Sequence, residues 1–268
     1  MAFLSCQKCT LESVIDSHCH LDQCEVPYSV IGKDLSALIT VGTTARISQT
    51  TVKLAQQIEK VWAAVGIHPN EKDEAANPEA RLKISTLAQN SQVVAIGETG
   101  FDNHWDVQSL EAQLELFEWH VTVARAVDKP LILHVRDKKG SFAASEKAAK
   151  AIAESNLKKG ILHCFNGNEA LLEIGLDMGW MVSFAGNLTY KNSKALHKAA
   201  ELVPSHRLLL ETDSPFLSPN PKRGKPNVPS NVWIVANFMA AIRGISIVEL
   251  ERQTDANAAL IFNLSKIS

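Results

Sequence analysis

Apolar residues along this chain come in short runs separated by longer amphipathic stretches. Val14 and Ile15 open the first run, which ends in the polar segment Asp16-Ser17-His18-Cys19-His20-Leu21-Asp22. Further runs cover residues 35–42, 61–69, 93–100, 129–137, 160–165, 180–184 and 207–213. Each is rich in Val, Ile, Leu or Ala and has the length of a buried strand. Between them lie helical patterns at 47–60, 77–90, 106–127, 143–155, 168–178 and 193–202. In the longest, Leu110, Leu114, Phe117, Val121 and Ala124 recur at helical spacing, the signature of a stripe packed on a core. Strand and helix alternate about eight times, which predicts parallel βαβ units and an α/β fold, a TIM (β/α)₈ barrel formed as one domain over residues 1–268. A doubly wound open sheet is the rival. No GxGxxG follows the first run, which weakens a dinucleotide-binding version of it.

The polar residues sharpen this picture. His18, His20, His68, Glu98, His134, His163 and Asp213 all stand at the C-terminal ends of apolar runs. In a parallel barrel this is the end where active sites are built. His18 and His20 are two apart, so a strand puts both imidazoles on one face. One strand-end histidine is commonly structural, whereas recurrence of His, Glu and Asp at the same end of so many strands points to a shared site. The mixed nitrogen and oxygen set suits Zn²⁺, Mn²⁺ or Co²⁺, and Mg²⁺ where oxygen dominates. The run 207–213 ends in Glu211-Thr212-Asp213, and the strand period predicts a common face for Glu211 and Asp213.

Bulk properties narrow the function. The 268 residues are 46 % hydrophobic, ample for a large core, and the net charge is −2. That balance argues against a protein that grips long duplex nucleic acid by charge alone. No stretch approaches the roughly 20 apolar residues of a membrane span, and no secretory leader is evident. A soluble, cytoplasmic enzyme without membrane partners is expected, and an odd count of five cysteines suits a reducing compartment. Cys6-x-x-Cys9 lacks a second pair and is a weak metal motif. The only compact basic cluster beside the site strand is Lys222-Arg223-Gly224-Lys225. Arg223 and Lys225 are candidates for phosphate contact, and Lys222 for a solvated loop cation.

Taken in order, several motifs resemble the TatD family of metal-dependent deoxyribonucleases. They are His18-x-His20, Gly97-Glu98-Thr99-Gly100-Phe101-Asp102, His134-x-Arg136-Asp137, His163-Cys164-Phe165 with Gly167, and Glu211-Thr212-Asp213-Ser214-Pro215. Arg223-Gly224-Lys225-Pro226-Asn227-x-Pro229 and Thr254-x-x-Asn257-Ala258-x-x-x-Phe262 are similar to the family's C-terminal pattern, so the likeness covers nearly the whole chain. It implies a distorted (β/α)₈ barrel of the amidohydrolase-like kind with two divalent metal ions (Mg²⁺, Zn²⁺ or Mn²⁺). His18, His20 and Asp213 would hold one ion, His134 and His163 the other, and Glu98 would bridge both. His68 would contact substrate phosphate. Departures from the family pattern are Asn70, Phe101, Asn103-His104 and Asn231, expected at pocket walls, and the run Lys138-Lys139-Gly140.

The resemblance implies a hydrolase that cleaves DNA phosphodiester bonds, as a 3′-5′ exonuclease on single-stranded ends and as a monomer. Two ions roughly 4 Å apart clamp a phosphodiester and activate water. Asp213, with Glu98, is the candidate catalytic carboxylate, orienting the water and taking its proton. Glu211 is expected to steady His134 or His163 by accepting a ring proton. Arg136 either stabilises developing charge or forms a salt bridge with Asp137 or Glu211. The alternative function is a metal-dependent ester or amide hydrolase such as an aminoacyl-tRNA deacylase, for which the same donor set would serve.

Overall fold

The computed structural model describes residues 14–25, 27 and 35–264. Cys6 and Cys9 lie outside the described residues. Eight strands form one parallel sheet in sequential order: β1 (Val14–Cys19), β2 (Leu35–Val41), β3 (Val61–Val65), β4 (Val93–Asp102), β5 (Leu131–Arg136), β6 (Gly160–Leu162), β7 (Met181–Phe184) and β8 (Leu208–Leu210). The helices that carry the chain back are α1 (Ala45–Gln57), α2 (Lys72–Ala75), α3 (Pro78–Leu87), α4 (Leu110–Val127), α5 (Ala143–Ser155), α6 (Glu169–Asp177) and α7 (Lys194–Leu202). Two more, α8 (Val232–Arg243) and α9 (Ile247–Ile261), follow the last strand. The result is a nearly closed TIM barrel. No single helix among the described residues is long and apolar enough to cross a membrane.

The strands are buried on both faces, as the continuous apolar runs require. Side chains alternate between two cores. Ala37, Ile39 and Val41 of β2 point inward with Ile15, Ala64, Ala95, Ile132, Ile161, Met181 and Leu209. Leu35 and Leu38 point outward against the helices, with Phe117, Val121 and Ala124 of α4. Capping fixes where the helices start: Thr44, Ser109 and Asn168 accept backbone N–H groups of α1, α4 and α6.

The C-terminal motif has a structural task. Ala258, Phe262 and Leu264 join the inward core. Asp255 accepts from Ile15 N at 2.9 Å and Ser36 Oγ at 3.0 Å. Asn257 Nδ2 donates to the carbonyls of Ser205 and Leu208. The last helix therefore stoppers the N-terminal end of the barrel.

Two expectations need correction. Phe101 and Asn231 are not at pocket walls. Phe101 is fully buried and packs against Phe117, and Asn231 is buried with its amide on Asn227 Oδ1. Also, β8 ends at Leu210, so Glu211 and Asp213 are not related by strand alternation. Asp213 turns through a left-handed conformation, φ 54°.

Candidate metal centre

The seam between β1 and β8 places the first donors. Asp213 N donates to His18 O at 2.9 Å, and His20 N donates to Ser214 O at 2.7 Å. These bonds tie the end of the first strand to the turn after the last. Beneath them Asp16 accepts from Thr212 N at 2.9 Å and Thr212 Oγ1 at 2.6 Å. Burial pushes Asp16 up to about 8 despite those two donors. Asn227 holds the same turn from outside, donating to Thr212 O and Phe216 O. With its backbone fixed this way, the left-handed turn aims the Asp213 carboxylate at His20, Oδ1 to Nε2 3.5 Å.

Glu98 is the hub. It is buried at the middle of β4, and imidazoles approach it from four strands. Its Oε2 lies 3.4 Å from both His18 Nε2 and His163 Nε2. Its Oε1 lies 3.6 Å from His68 Nε2 and 3.9 Å from His20 Nε2. His18 Nε2 and His20 Nε2 are themselves 3.4 Å apart. Donor atoms at about 2.1 Å from one tetrahedral ion are separated by about 3.4 Å, the spacing seen here. Glu98 Oε2 has no hydrogen-bond donor among the described residues. A buried carboxylate oxygen without a donor calls for a cation. Burial opposes its ionisation, yet the surrounding His68, His18, His20 and His163 hold it well below the usual carboxylate range. Burial and the adjacent His163 keep His18 well below its ordinary value, in the neutral form that donates a lone pair.

Two triads share this hub: His18, His20 and Glu98, and His68, Glu98 and His134. The donor set therefore fits metal binding with Glu98 common to both groups. His68, read from the sequence as a phosphate contact, lies close enough to Glu98 and His134 to act as a donor.

The supports are equally specific. His163 Nδ1 is 2.9 Å from Glu211 Oε1, and Cys164 N donates to the same oxygen at 2.8 Å. Glu211 thus steadies His163 rather than His134. His163 stacks on His18 with ring centroids 3.6 Å apart, so orienting one ring orients the other. Asp102 was not singled out from the sequence. It lies two and four residues beyond Gly100 and Glu98 on β4, and the strand period places it on the Glu98 face. Its Oδ2 is 3.2 Å from His134 Nε2 and accepts from Asn70 Nδ2 at 3.0 Å. Burial would raise Asp102, but the contacts with His134, His104 N and Asn70 together bring the carboxyl down to about 2.

The site floors an open cavity of about 990 Å³ lined by His20, His68, Glu98, His134, His163 and Asp213. Arg136 also lines it, 5.4 Å from the Trp105 ring centroid. Its two expected salt-bridge partners are committed elsewhere, Glu211 to His163 and Asp137 to Ala144 N. Arg223 and Lys225 stand away from the cavity wall. The Arg223 guanidinium sits 4.4 Å over Tyr190, and Lys222 Nζ donates to Asn231 Oδ1 at 2.7 Å.

A family profile described as TatD related DNase matches residues 15–263. The chain is 33 % identical over 261 residues to an uncharacterized metal-dependent hydrolase, YcfH, of Escherichia coli strain K12, covering 94 % of this chain and 96 % of that protein. It is 31 % identical over 261 residues to the corresponding YabD of Bacillus subtilis strain 168, covering 94 % and 100 %. Among solved structures, YJJV, a TatD homologue from Escherichia coli K12, matches with a TM-score of 0.85 at 24 % identity, over 94 % of this chain and 99 % of that one. This last likeness concerns the fold.

Proposed function

The chain belongs to the TatD-related DNase family of metal-dependent hydrolases, and on that premise we propose that it trims single-stranded DNA from a 3′ end using two divalent ions. The observation that carries this reading is the convergence of five histidines on the buried Glu98, with Asp213 against His18 and His20, at the floor of an open cavity. Divalent ions bound there supply Lewis acidity and an activated water.

The chain's own groups divide the remaining work. Glu98 balances charge at the hub and is nearly sealed, with 4 % of its side chain accessible, whereas Asp213 keeps 14 %. A water arriving through the cavity meets Asp213 first, so Asp213 orients it and accepts its proton. Arg136, open to the cavity, faces the charge that develops on the phosphate. His68 completes the second donor group with Glu98 and His134. Glu211 keeps the His163 lone pair aimed inward.

The test is a panel of 3′- and 5′-labelled single-stranded oligonucleotides beside aminoacyl esters, each with and without chelator. The expected result is shortening from the 3′ end that stops in chelator and in Glu98→Gln and Asp213→Asn. Absence of phosphodiester cleavage with every divalent ion tried rejects the nuclease reading, and turnover of the esters instead supports a deacylase.

A further inference from the structure

The outer wall of the cavity is built differently from its floor. Two large aromatics face outward there, Trp105 with 59 % and Phe142 with 63 % of their surface exposed. Arg136, Lys138 and Lys139 line the same wall and are exposed. Exposed aromatic rings interleaved with cations, on a protein whose overall charge is −2, form a local feature rather than a general surface property.

The wall is also tied together by hydrogen bonds. It consists of the loop after β4 and the loop after β5, and Asn103 fastens one to the other. Asn103 N donates to Arg136 O at 3.1 Å, its Oδ1 accepts from Lys138 N at 2.7 Å, and its Nδ2 donates to Ser141 Oγ at 3.3 Å. Ser141 N closes the second loop on Lys138 O at 2.9 Å. Asp137, the one acid of the loop after β5, accepts from Ala144 N at 2.9 Å at the start of α5, while Asp106 follows Trp105 in the loop after β4. Two departures from the family pattern, Asn103 and the Lys138-Lys139-Gly140 run, therefore contact each other and hold one surface in shape.

We propose that these two loops form a subsite for the single-stranded DNA flanking the scissile phosphate, with Trp105 and Phe142 stacking on unpaired bases and Lys138 and Lys139 tracking backbone phosphates. The inference rests on the nuclease reading for the identity of the strand, and adds residues that the metal centre does not need. Stacking on exposed rings selects unpaired bases, because duplex bases have no free face. Cations set at a fixed spacing on a fastened loop meet the phosphates without having to be ordered on binding. Arg136, against the Trp105 ring, links this wall to the reaction centre.

The test measures binding separately from cleavage. Fluorescence anisotropy is read on the metal-loaded full chain with cleavage-resistant phosphorothioate oligothymidylates of two, four and eight nucleotides, and with an abasic strand of eight. The wild type is expected to gain affinity with length, and to bind the abasic strand more weakly than the thymidylate. Trp105→Ala is expected to weaken the eight-nucleotide strand on the order of 5- to 150-fold, with Trp105→Phe recovering most of the loss. The double variant K138A/K139A is expected to reduce the salt slope of binding by about 1.4. Equal affinity of Trp105→Ala and wild type for the eight-nucleotide strand overturns the proposal, as does equal affinity of wild type for thymidylate and abasic strands. If the wild type cleaves no DNA yet shows the Trp105 dependence, the nuclease reading fails and the subsite stands. If it cleaves DNA without that dependence, the reverse holds.

Discussion

His120 offers a sharp test of how the scaffold sets the site. It is fully buried on α4, accepts from Ile67 N through Nε2 at 3.0 Å and donates through Nδ1 to Leu116 O at 2.8 Å. Ile67 precedes His68, so this bond anchors the backbone that delivers one imidazole to Glu98. Burial, with a smaller contribution from Arg81, lowers His120 from 6.5 to about 3. Above pH 6.5 the ring is neutral in both folded and unfolded chains, and its burial carries no proton cost. Below 6.5 the unfolded chain takes up a proton that the folded site refuses until about pH 3, so stability is lost progressively between those values. At about 1.4 kcal/mol per pH unit, descending from 6.5 to pH 5.0 costs about 2 kcal/mol. His120→Gln keeps an acceptor for Ile67 N and removes the titration. Urea unfolding of both chains in chelator at pH 7.5 and 5.0 cancels the shared contributions of the other histidines. Wild type is expected to lose about 2 kcal/mol more than His120→Gln. Parallel losses would refute the assignment of a buried neutral imidazole. His120→Leu, which strands a buried N–H, is expected to cost about 1–3 kcal/mol at pH 7.5.

Glu211→Gln removes the charge beside His163 Nδ1 and is expected to weaken metal affinity about 10- to 100-fold, read by competition with a chelating dye. Gly100→Ala places a Cβ on His134 O at a residue with φ 144°, so thermal unfolding should report a loss of at least about 1 kcal/mol, with weaker metal binding through the displaced His134. Thr212→Val breaks the 2.6 Å bond to Asp16 Oδ2 and the contact to Ser214 Oγ, and calorimetry should find about 1–3 kcal/mol lost as the turn carrying Asp213 loosens.

The barrel was legible because its strands are buried on both faces, which makes apolar runs such as 35–42 stand out between amphipathic stretches. The His18-x-His20 pair was legible because β1 extends to Cys19, so the period of two reaches nearly to both rings. The same period does not reach Glu211 and Asp213, for which a common strand face was expected. The chain leaves β8 at Leu210, and the bonds from Asp213 N to His18 O and from His20 N to Ser214 O aim the carboxylate instead. Asp102 carried a readable signal, being four residues beyond Glu98 in a strand that runs on past Gly100. Asn103 showed only as a departure from the family pattern. Its role depends on three contacts to a loop more than thirty residues away, and only the folded chain brings those together. The basic cluster at Lys222–Lys225 illustrates the opposite error, since nearness in sequence to Asp213 did not place Arg223 at the cavity.

Glu98 is the carboxylate common to both donor groups. Titrating the chelator-stripped chain with Mn²⁺ in a calorimeter measures this directly, with Glu98→Gln run beside it. Two ions bound per wild-type chain, with at least one site lost in a folded Glu98→Gln, is the result the geometry predicts. Full retention of both sites in Glu98→Gln, or no ion bound by the wild type, would contradict it.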